Sequence, residues 1–287
     1  MSRARSPAVM PDVLVDGVPA STRLLHDRGL AYGDGLFETM RVVAGRVPLW
    51  PWHLRRLQHG LRRLGIEMPS KDALQGDVSS LARGQDAIVK LIVARHGGRG
   101  YAPHGAAGMS RLALRYAPPD DAAIDHARGV RVRWCRLRLG LQPALAGLKH
   151  LNRLEQVLAR AEWRDERVHE GLLRDSDGHV ICATASNVFI VRDGVVQTPR
   201  IDRCGVAGVA RAWTLAQVRR WRLPVRESRL SPVDIESADE VFLTNAVRGI
   251  VPVRAVGSAT FDVGPVAQRL GYTLAALGIG RHPRSNA

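Results

Sequence analysis

The residues with the clearest capacity for chemistry lie in one stretch, Gly147 to Gln156, with the sequence GLKHLNRLEQ. Lys149 is one of only three lysines in the chain, whereas 39 of the 42 basic residues are arginine. A lysine can lose its proton and attack a carbonyl carbon, which an arginine cannot do. Lys149 is therefore a candidate nucleophile, and on this stretch alone a surface lysine beside a helix is an equal alternative.

Other segments accompany this stretch, and together they resemble one family. They are DRGLAYGDGLFETMRV at 27–42, HLRRL at 53–57, GGRGY at 97–101, TPRIDRCGVAGVAR at 198–211 and DEVFLTNAVRGIVPV at 239–253. The set is similar to the fold-type IV pyridoxal-phosphate enzymes, which include the branched-chain and D-amino-acid aminotransferases. Within that family it most resembles the 4-amino-4-deoxychorismate lyases. The resemblance covers roughly residues 12 to 280.

Composition predicts a folded globular protein. With 287 residues, 45% of them hydrophobic, the chain can bury a full core. Its three cysteines are widely spaced and show neither a metal-ligand nor a CxxC pattern, so no metal site and no oxidising compartment is expected. No run approaches the roughly 20 apolar residues of a membrane span, and the N-terminal stretch lacks the apolar core of a secretory signal. We expect a cytoplasmic protein without a membrane partner.

The formal net charge of +15 raises the possibility of a polyanionic partner. The arginines are spread along the chain, however, and aromatic residues make up only 5% of it. A nucleic-acid site usually shows a clustered basic patch, so a nucleic-acid partner is not expected. An attraction for anionic metabolites is the simpler interpretation.

Periodicity and turn signals predict the elements that must position these residues. Leucines at helical spacing from Pro51 to Ile66 indicate an amphipathic helix that carries Arg56, and the alternation from Val130 to Leu139 indicates a half-buried strand. Further helices are expected at 71–83, 152–163, from the glycines of 205–208 to 221, and at 263–277. Further strands are expected at 13–20, 87–94, 111–117, 240–243 and 251–256, with hairpins turning at 177–178 and 192–194.

The fold expected is α/β (α+β), and the resemblance implies two domains with the cofactor between them. The run PPDD at 118–121 marks the most probable boundary. We predict a smaller N-terminal α/β domain at 1–119, a linker at 120–129 and a larger cofactor-binding domain at 130–287. Each half is expected to contain a mixed sheet with flanking helices, and the resemblance implies a homodimer whose sites are shared by two subunits.

The resemblance implies a cofactor, pyridoxal 5'-phosphate, and assigns residues to it. Lys149 would hold the cofactor's aldehyde carbon and, once displaced by a substrate amine, would carry protons to and from the substrate carbon. Arg56 would bind the phosphate with its planar guanidinium. Val209 and Ala210 would bind the same phosphate through backbone N–H groups at a helix start, where the helix dipole favours an anion.

The sequence departs from the family at the partner of the pyridine nitrogen. The usual glutamate, five residues ahead of an asparagine, is replaced by Cys182, which precedes Asn187 by five. A carboxylate would keep the nitrogen protonated, whereas a thiol does so poorly. Glu170 is at the wrong spacing from Asn187 to take its place. Asn245 is a further candidate at the cofactor.

The substrates of the lyases carry two carboxylates, which cations would bind. Arg99 and Tyr101 lie in the segment GGRGY, which resembles a lyase signature. Arg41 and Arg248 are further candidate carboxylate ligands. Thr39 is expected to line the pocket near the cofactor ring.

By resemblance, the reaction expected is a carbon–oxygen elimination that converts 4-amino-4-deoxychorismate to p-aminobenzoate and pyruvate, a step of folate biosynthesis. An elimination that yields an aromatic product depends less on the cofactor ring than transamination does, so Cys182 favours the lyase. The alternatives are a branched-chain or D-amino-acid aminotransferase and a binding protein whose site has lost its chemistry. The segment TNAVRG at 244–249 lacks the Gly-Thr-Ala signature of the branched-chain enzymes.

Overall fold

Two β-sheets organise the part of the chain that the structure describes. The computed structural model describes residues 13–19, 28–97, 100–103, 108–120 and 124–280. The first sheet has the order β2-β1-β5-β4-β3. Its strands are β1 (Val13–Val15), β2 (Val18–Pro19), β3 (Gly35–Val42), β4 (Ala87–Arg95) and β5 (Met109–Tyr116).

Three helices belong to this first half of the chain. They are α1 (Arg28–Tyr32), α2 (Trp50–Leu64) and α3 (Lys71–Ala82). The buried side of α2 packs against β3 through Leu57 and Leu61, which are almost fully buried in one core with Met40. Gly65 ends α2 in a left-handed conformation with φ of 64°, which glycine adopts without steric cost.

The second sheet has nine strands in the order β11-β10-β9-β12-β13-β6-β7-β8, with β14 paired to β13. The strands are β6 (Val130–Leu139), β7 (Val168–Asp175), β8 (Val180–Ala183), β9 (Asn187–Arg192), β10 (Val195–Pro199), β11 (Val225–Ser228), β12 (Glu240–Asn245), β13 (Gly249–Val256) and β14 (Ala259–Thr260). The pairs β10–β11, β13–β6 and β6–β7 are parallel, and the other pairs are antiparallel.

Four helices accompany the second sheet: α4 (Leu154–Arg160), α5 (Val209–Arg220), α6 (Pro232–Glu236) and α7 (Pro265–Ala275). Helix α5 contacts α2, so it links the two halves of the chain, and α7 packs on β13. Helix α6 begins with a capping box in which Ser231 and Asp234 satisfy each other's backbone N–H groups.

The predicted fold class is confirmed, with two differences of detail. The mixed sheet expected in each half is found in the second half, whereas the described pairs of the first sheet are all antiparallel. Helices α2 and α3 return the chain from Val42 to Ala87 at the same end of that sheet, which makes β3 and β4 antiparallel. Helix α4 is shorter than predicted because Arg153 stays outside it and donates Nε to the carbonyl of His150.

The sequence analysis assigned no element to β3, and it also missed α1, β11 and β14, which are short. All three cysteines are buried and free. Within the described residues, no helix has the length and apolar composition needed to cross a bilayer. The predicted division at 1–119, 120–129 and 130–287 stays a prediction, although each predicted domain contains one of the two sheets.

Candidate functional site

A cavity of about 930 Å³ contains most of the predicted site residues. Strand β3 contributes residues from the first sheet. In the second half, residues come from the loops that follow β8 and β12 and from the loop that precedes α5. The predicted residues that line it are Thr39, Arg56, Lys149, Cys182, Asn187, Val209, Ala210, Asn245 and Arg248. The volume is in the range of pockets that hold small organic ligands.

The segment that carries Lys149 is hydrogen-bonded to both halves of the chain. On one side, the N–H of Phe37 donates to the carbonyl of Lys149 at 2.9 Å, and His150 forms a bridge with Leu36 of β3. On the other side, Gly147 forms a parallel bridge with Val206, in the loop before α5. The backbone of Lys149 is thus fixed from both sides although it belongs to no regular element.

The amine of Lys149 is poised to lose its proton at neutral pH. Burial and, to a smaller extent, the nearby charge of Arg56 together lower the pKa of Lys149 from 10.5 to about 7, against the opposing effect of Glu38. The Nζ atom lies 4.2 Å from the centre of the Phe37 ring. A large fraction of this amine is therefore uncharged and nucleophilic near pH 7.

Arg56 is held by a buried carboxylate. Its Nε and Nη2 donate to the two oxygens of Glu38, with 2.8 Å between Nε and Oε1, and its Nη1 donates to the carbonyl of Ala207 at 3.3 Å. His53, one helical turn before Arg56 on α2, lies 2.6 Å from Glu38 through Nδ1. Burial would raise the pKa of Glu38, but Arg56 and His53 outweigh it and hold that pKa at about 2.

Helix α5 begins at the cavity with its first backbone amides uncapped. Gly208 is the N-cap, and no side chain caps the helix. The first N–H groups of a helix lack intrahelical partners and attract anions. A Cβ atom on Gly208 would lie 2.0 Å from Oδ1 of Asn187, so only glycine fits at this position. The amides of Val209 and Ala210 therefore lie at an anion-binding position.

The two predicted asparagines hold loops. Asn187 donates Nδ2 to the carbonyl of Val206 at 2.9 Å, which positions the loop before α5. Asn245 donates Nδ2 to Ala185 at 2.8 Å and accepts from the N–H groups of Val247 and Arg248 at 2.8 and 3.2 Å. The side chain of Asn245 therefore shapes the turn that carries Arg248 into the cavity.

Cys182 and Glu170 both line the cavity from the hairpin of β7 and β8. Burial raises the pKa of the Cys182 thiol, so the thiol is neutral at physiological pH. Burial also raises the pKa of Glu170, whose Oε1 accepts from the Ser186 hydroxyl at 2.7 Å and whose Oε2 accepts from the N–H of Ala185 at 3.3 Å. The carboxyl of Glu170 is therefore engaged with the loop before β9.

The predicted substrate residues divide into three groups. Thr39 and Arg248 line the cavity. Arg41 lies outside the lining, buried, and donates Nη1 to the carbonyl of Val247 at 3.4 Å. Tyr101 is also outside the lining; it is 89% exposed, and its ring lies 5.6 Å from that of Tyr32. Neither Arg41 nor Tyr101 lines the cavity of this chain, so their substrate role stays a prediction. Arg99 lies outside the described residues.

The sequence analysis missed several residues of the site. Glu38 could have been recognised, since a carboxylate within the apolar run LFETM needs a cation, and HLRRL supplies Arg56 and His53 on one helical face. Arg153, four residues after Lys149, also lines the cavity and was not singled out. Glu170 was set aside on sequence spacing, but strand pairing brings it beside β8.

Comparison with known proteins places the chain in a family. The model of the class IV amino-transferases matches residues 35–256, and the chain belongs to this family. The aminodeoxychorismate lyase of Vibrio harveyi is 34% identical over 262 residues, 89% of this chain and 97% of that protein. The crystal structure of the 4-amino-4-deoxychorismate lyase of Pseudomonas aeruginosa is 44% identical, with a TM-score of 0.86, and covers 92% of this chain and 98% of that one. A putative branched-chain-amino-acid aminotransferase of Methanocaldococcus jannaschii is 31% identical over 86% of this chain and 88% of its own length.

Proposed function

We propose that this protein is a pyridoxal-phosphate-dependent lyase that converts 4-amino-4-deoxychorismate to p-aminobenzoate and pyruvate. The observation that carries the proposal is the amine of Lys149, fixed at the wall of a cavity with a pKa of about 7. The names of the relatives in Vibrio harveyi and Pseudomonas aeruginosa support the lyase among the reactions of the family.

The cavity fits pyridoxal phosphate. Lys149 supplies the amine for the aldehyde, and the uncapped start of α5 supplies the amides of Val209 and Ala210 for the phosphate. Arg56 would complete the phosphate site, with Glu38 fixing the plane of its guanidinium. When bound, the cofactor would supply an electron-withdrawing ring conjugated with the substrate's amine nitrogen.

The residues of this chain then account for the proton transfers. With the substrate amine held by the cofactor, Lys149 would take the proton from the amine-bearing carbon, and the bond from the neighbouring ring carbon to the enolpyruvyl ether oxygen would break. The product ring becomes aromatic as this oxygen leaves. The enolpyruvate gains a proton and becomes pyruvate. Because its pKa is about 7, Lys149 can both accept and return a proton near neutral pH.

Cys182 favours elimination over transamination. A neutral thiol gives a pyridine nitrogen less support as an electron sink than a carboxylate does. Transamination would need that support, because the ring would have to hold negative charge for longer than in an elimination. Elimination gains its driving force from the aromatic product.

We propose that Arg248 binds a carboxylate of the substrate and that Thr39 lies near the cofactor ring; both residues line the cavity.

We also propose a homodimer. Leu154, Val157 and Leu158 of α4 are 74%, 59% and 60% exposed in the single chain, and a clustered apolar patch of this kind is typical of a protein interface. The site would then be shared between two subunits, as the resemblance implies. A cytoplasmic location and the division at residues 120–129 remain predictions.

The test is p-aminobenzoate formation from 4-amino-4-deoxychorismate by the purified protein loaded with pyridoxal phosphate. We expect p-aminobenzoate and pyruvate in equal amounts, and loss of the activity by at least about a thousandfold in Lys149→Ala, the change expected for removal of an essential nucleophile. Lys71→Ala, which alters an exposed lysine outside the cavity, is the matched control. Absence of product from a yellow, loaded protein would reject the lyase and leave the aminotransferase, which needs an added keto acid.

A further inference from the structure

Arg153 is fixed at the cavity by its own backbone segment. It lies four residues after Lys149, immediately before α4, and is half-buried at the cavity wall. Its Nε donates to the carbonyl of His150 at 3.0 Å, and its terminal nitrogens form no hydrogen bond to another described residue. The guanidinium is therefore held in a defined place next to the reactive lysine.

Arg153 has little counter-charge within the part of the chain that the structure describes. In the described part of the chain, no carboxylate pairs with it within 4.0 Å. Glu155, the acid that acts on it electrostatically, accepts instead from the N–H of Gly140 at 2.8 Å. Its positive charge lowers the pKa of Lys149 and of His150, after the larger effect of burial in each case.

Two other arginines at the cavity wall, Arg56 and Arg160, differ from Arg153, whereas Arg248 is already proposed to bind a substrate carboxylate. Arg56 is paired with Glu38. Arg160 is exposed, donates Nη1 to the carbonyl of Trp163 at 3.0 Å and lies 4.6 Å from the centre of the Trp163 ring. A partly buried cation without a counter-ion is unfavourable by itself, and it becomes favourable when a ligand brings an anion to it.

We propose that Arg153 is an oxyanion-binding residue of the site, and this proposal rests on the proposed function. The oxyanion would come from one of two sources, a carboxylate of the substrate or the ring hydroxylate of pyridoxal phosphate. Both offer a negative oxygen that a guanidinium can bind through charge-assisted hydrogen bonds. Such a bond contributes more than tenfold to affinity in typical proteins.

Two variants and one control separate charge from shape. Arg153→Gln removes the charge but keeps an amide that can donate to His150, and Arg153→Lys keeps the charge. Arg220→Met is the matched control, because Arg220 lies exposed at the end of α5 and outside the cavity lining. All variants are loaded with pyridoxal phosphate, and thermal unfolding verifies that each is folded.

Two readouts that need no turnover distinguish the sources. The first is the dissociation constant of chorismate, which has two carboxylates and no amine, measured by calorimetry. The second is the midpoint of the pH titration of the bound cofactor's visible absorbance. For a substrate carboxylate, Arg153→Gln weakens chorismate binding by about tenfold or more and Arg153→Lys restores part of it. For the ring hydroxylate, the midpoint moves to higher pH in Arg153→Gln, since a cation that favoured the anion has been removed.

The proposal is overturned if folded Arg153→Gln matches Arg220→Met in both readouts. Failure of the proposed function gives a different result: the wild-type protein forms no p-aminobenzoate, while the effect of Arg153→Gln on chorismate binding or on the absorbance titration is still measured.

Discussion

Two buried glutamates beside the cavity have opposite charge preferences. Glu38 on β3 is 2% exposed and Glu170 on β7 is 6% exposed, so burial does not distinguish them. Glu38 is paired with Arg56 and His53, which hold its pKa at about 2, whereas burial raises the pKa of Glu170, which accepts from a hydroxyl and one amide and on which the charge of Arg248 has only a small effect. The neighbouring cation decides whether a buried carboxyl ionises.

The comparison predicts unequal costs for the same substitution. Glu38→Gln leaves the Arg56 charge without its partner and should lower the free energy of unfolding by about 3 to 5 kcal/mol at pH 7. Glu170→Gln replaces a carboxyl that favours its neutral form and should cost only about 1 kcal/mol. Urea unfolding of the two variants beside the wild type measures both. Equal losses of unfolding free energy in the two variants would contradict the difference inferred between Glu38 and Glu170.

The stabilising contributions of Glu38 and Glu170 should depend on pH in opposite directions. A pKa lowered from 4.5 to about 2 means that Glu38 stabilises the fold above pH 4.5 and that this contribution, about 3 kcal/mol, disappears as the pH falls toward 2. Glu170 has a raised pKa, so its stabilising contribution is present below pH 4.5 and is lost as the pH rises through its folded-state value.

Unfolding measured from pH 2 to pH 8 in wild type, Glu38→Gln and Glu170→Gln tests these signs. The Glu38→Gln curve should lose the steep acid limb of the wild type, and Glu170→Gln should keep that limb. Parallel curves for the two variants would contradict the assigned charge states.

The smallest expected effect concerns the lysine. The negative charge of Glu38 raises the pKa of Lys149 against burial, so Glu38→Gln should move the titration of this amine to lower pH. Reductive methylation of the cofactor-free protein as a function of pH, read by mass spectrometry, resolves Lys149 from Lys71 and Lys90. Glu170→Gln is the control and should leave the midpoint near 7. An unchanged midpoint in Glu38→Gln would show that the charge of Glu38 does not raise the pKa of Lys149.

Periodicity and turn chemistry predicted most of the fold because those signals are local. The leucines of α2, the alternation of β6 and the glycine turns at 177–178 and 192–194 each specify an element within about 15 residues. Short elements such as β11 carry too few residues for a pattern. The antiparallel first sheet depends on where α2 and α3 return the chain, which no local pattern encodes.

The site was predictable where a family motif carries it, and less so where strand pairing does. Lys149 and the start of α5 stand out in the sequence. Glu170 does not, because its place beside β8 follows from the pairing of Leu172 with Ala183. The ion pair of Glu38 with Arg56 joins residues 18 apart: the need of a buried carboxylate for a cation can be read from the sequence, but the pairing itself forms only because α2 packs on β3.

The segment from Gly147 to His150 is bonded to β3 on one side and to the loop before α5 on the other. The segment therefore connects the two sheets and also carries the reactive lysine. A displacement of one sheet relative to the other would move the backbone of Lys149. Loss of activity and separation of the two halves should then occur in a single cooperative transition, with no partly opened form that still turns over substrate.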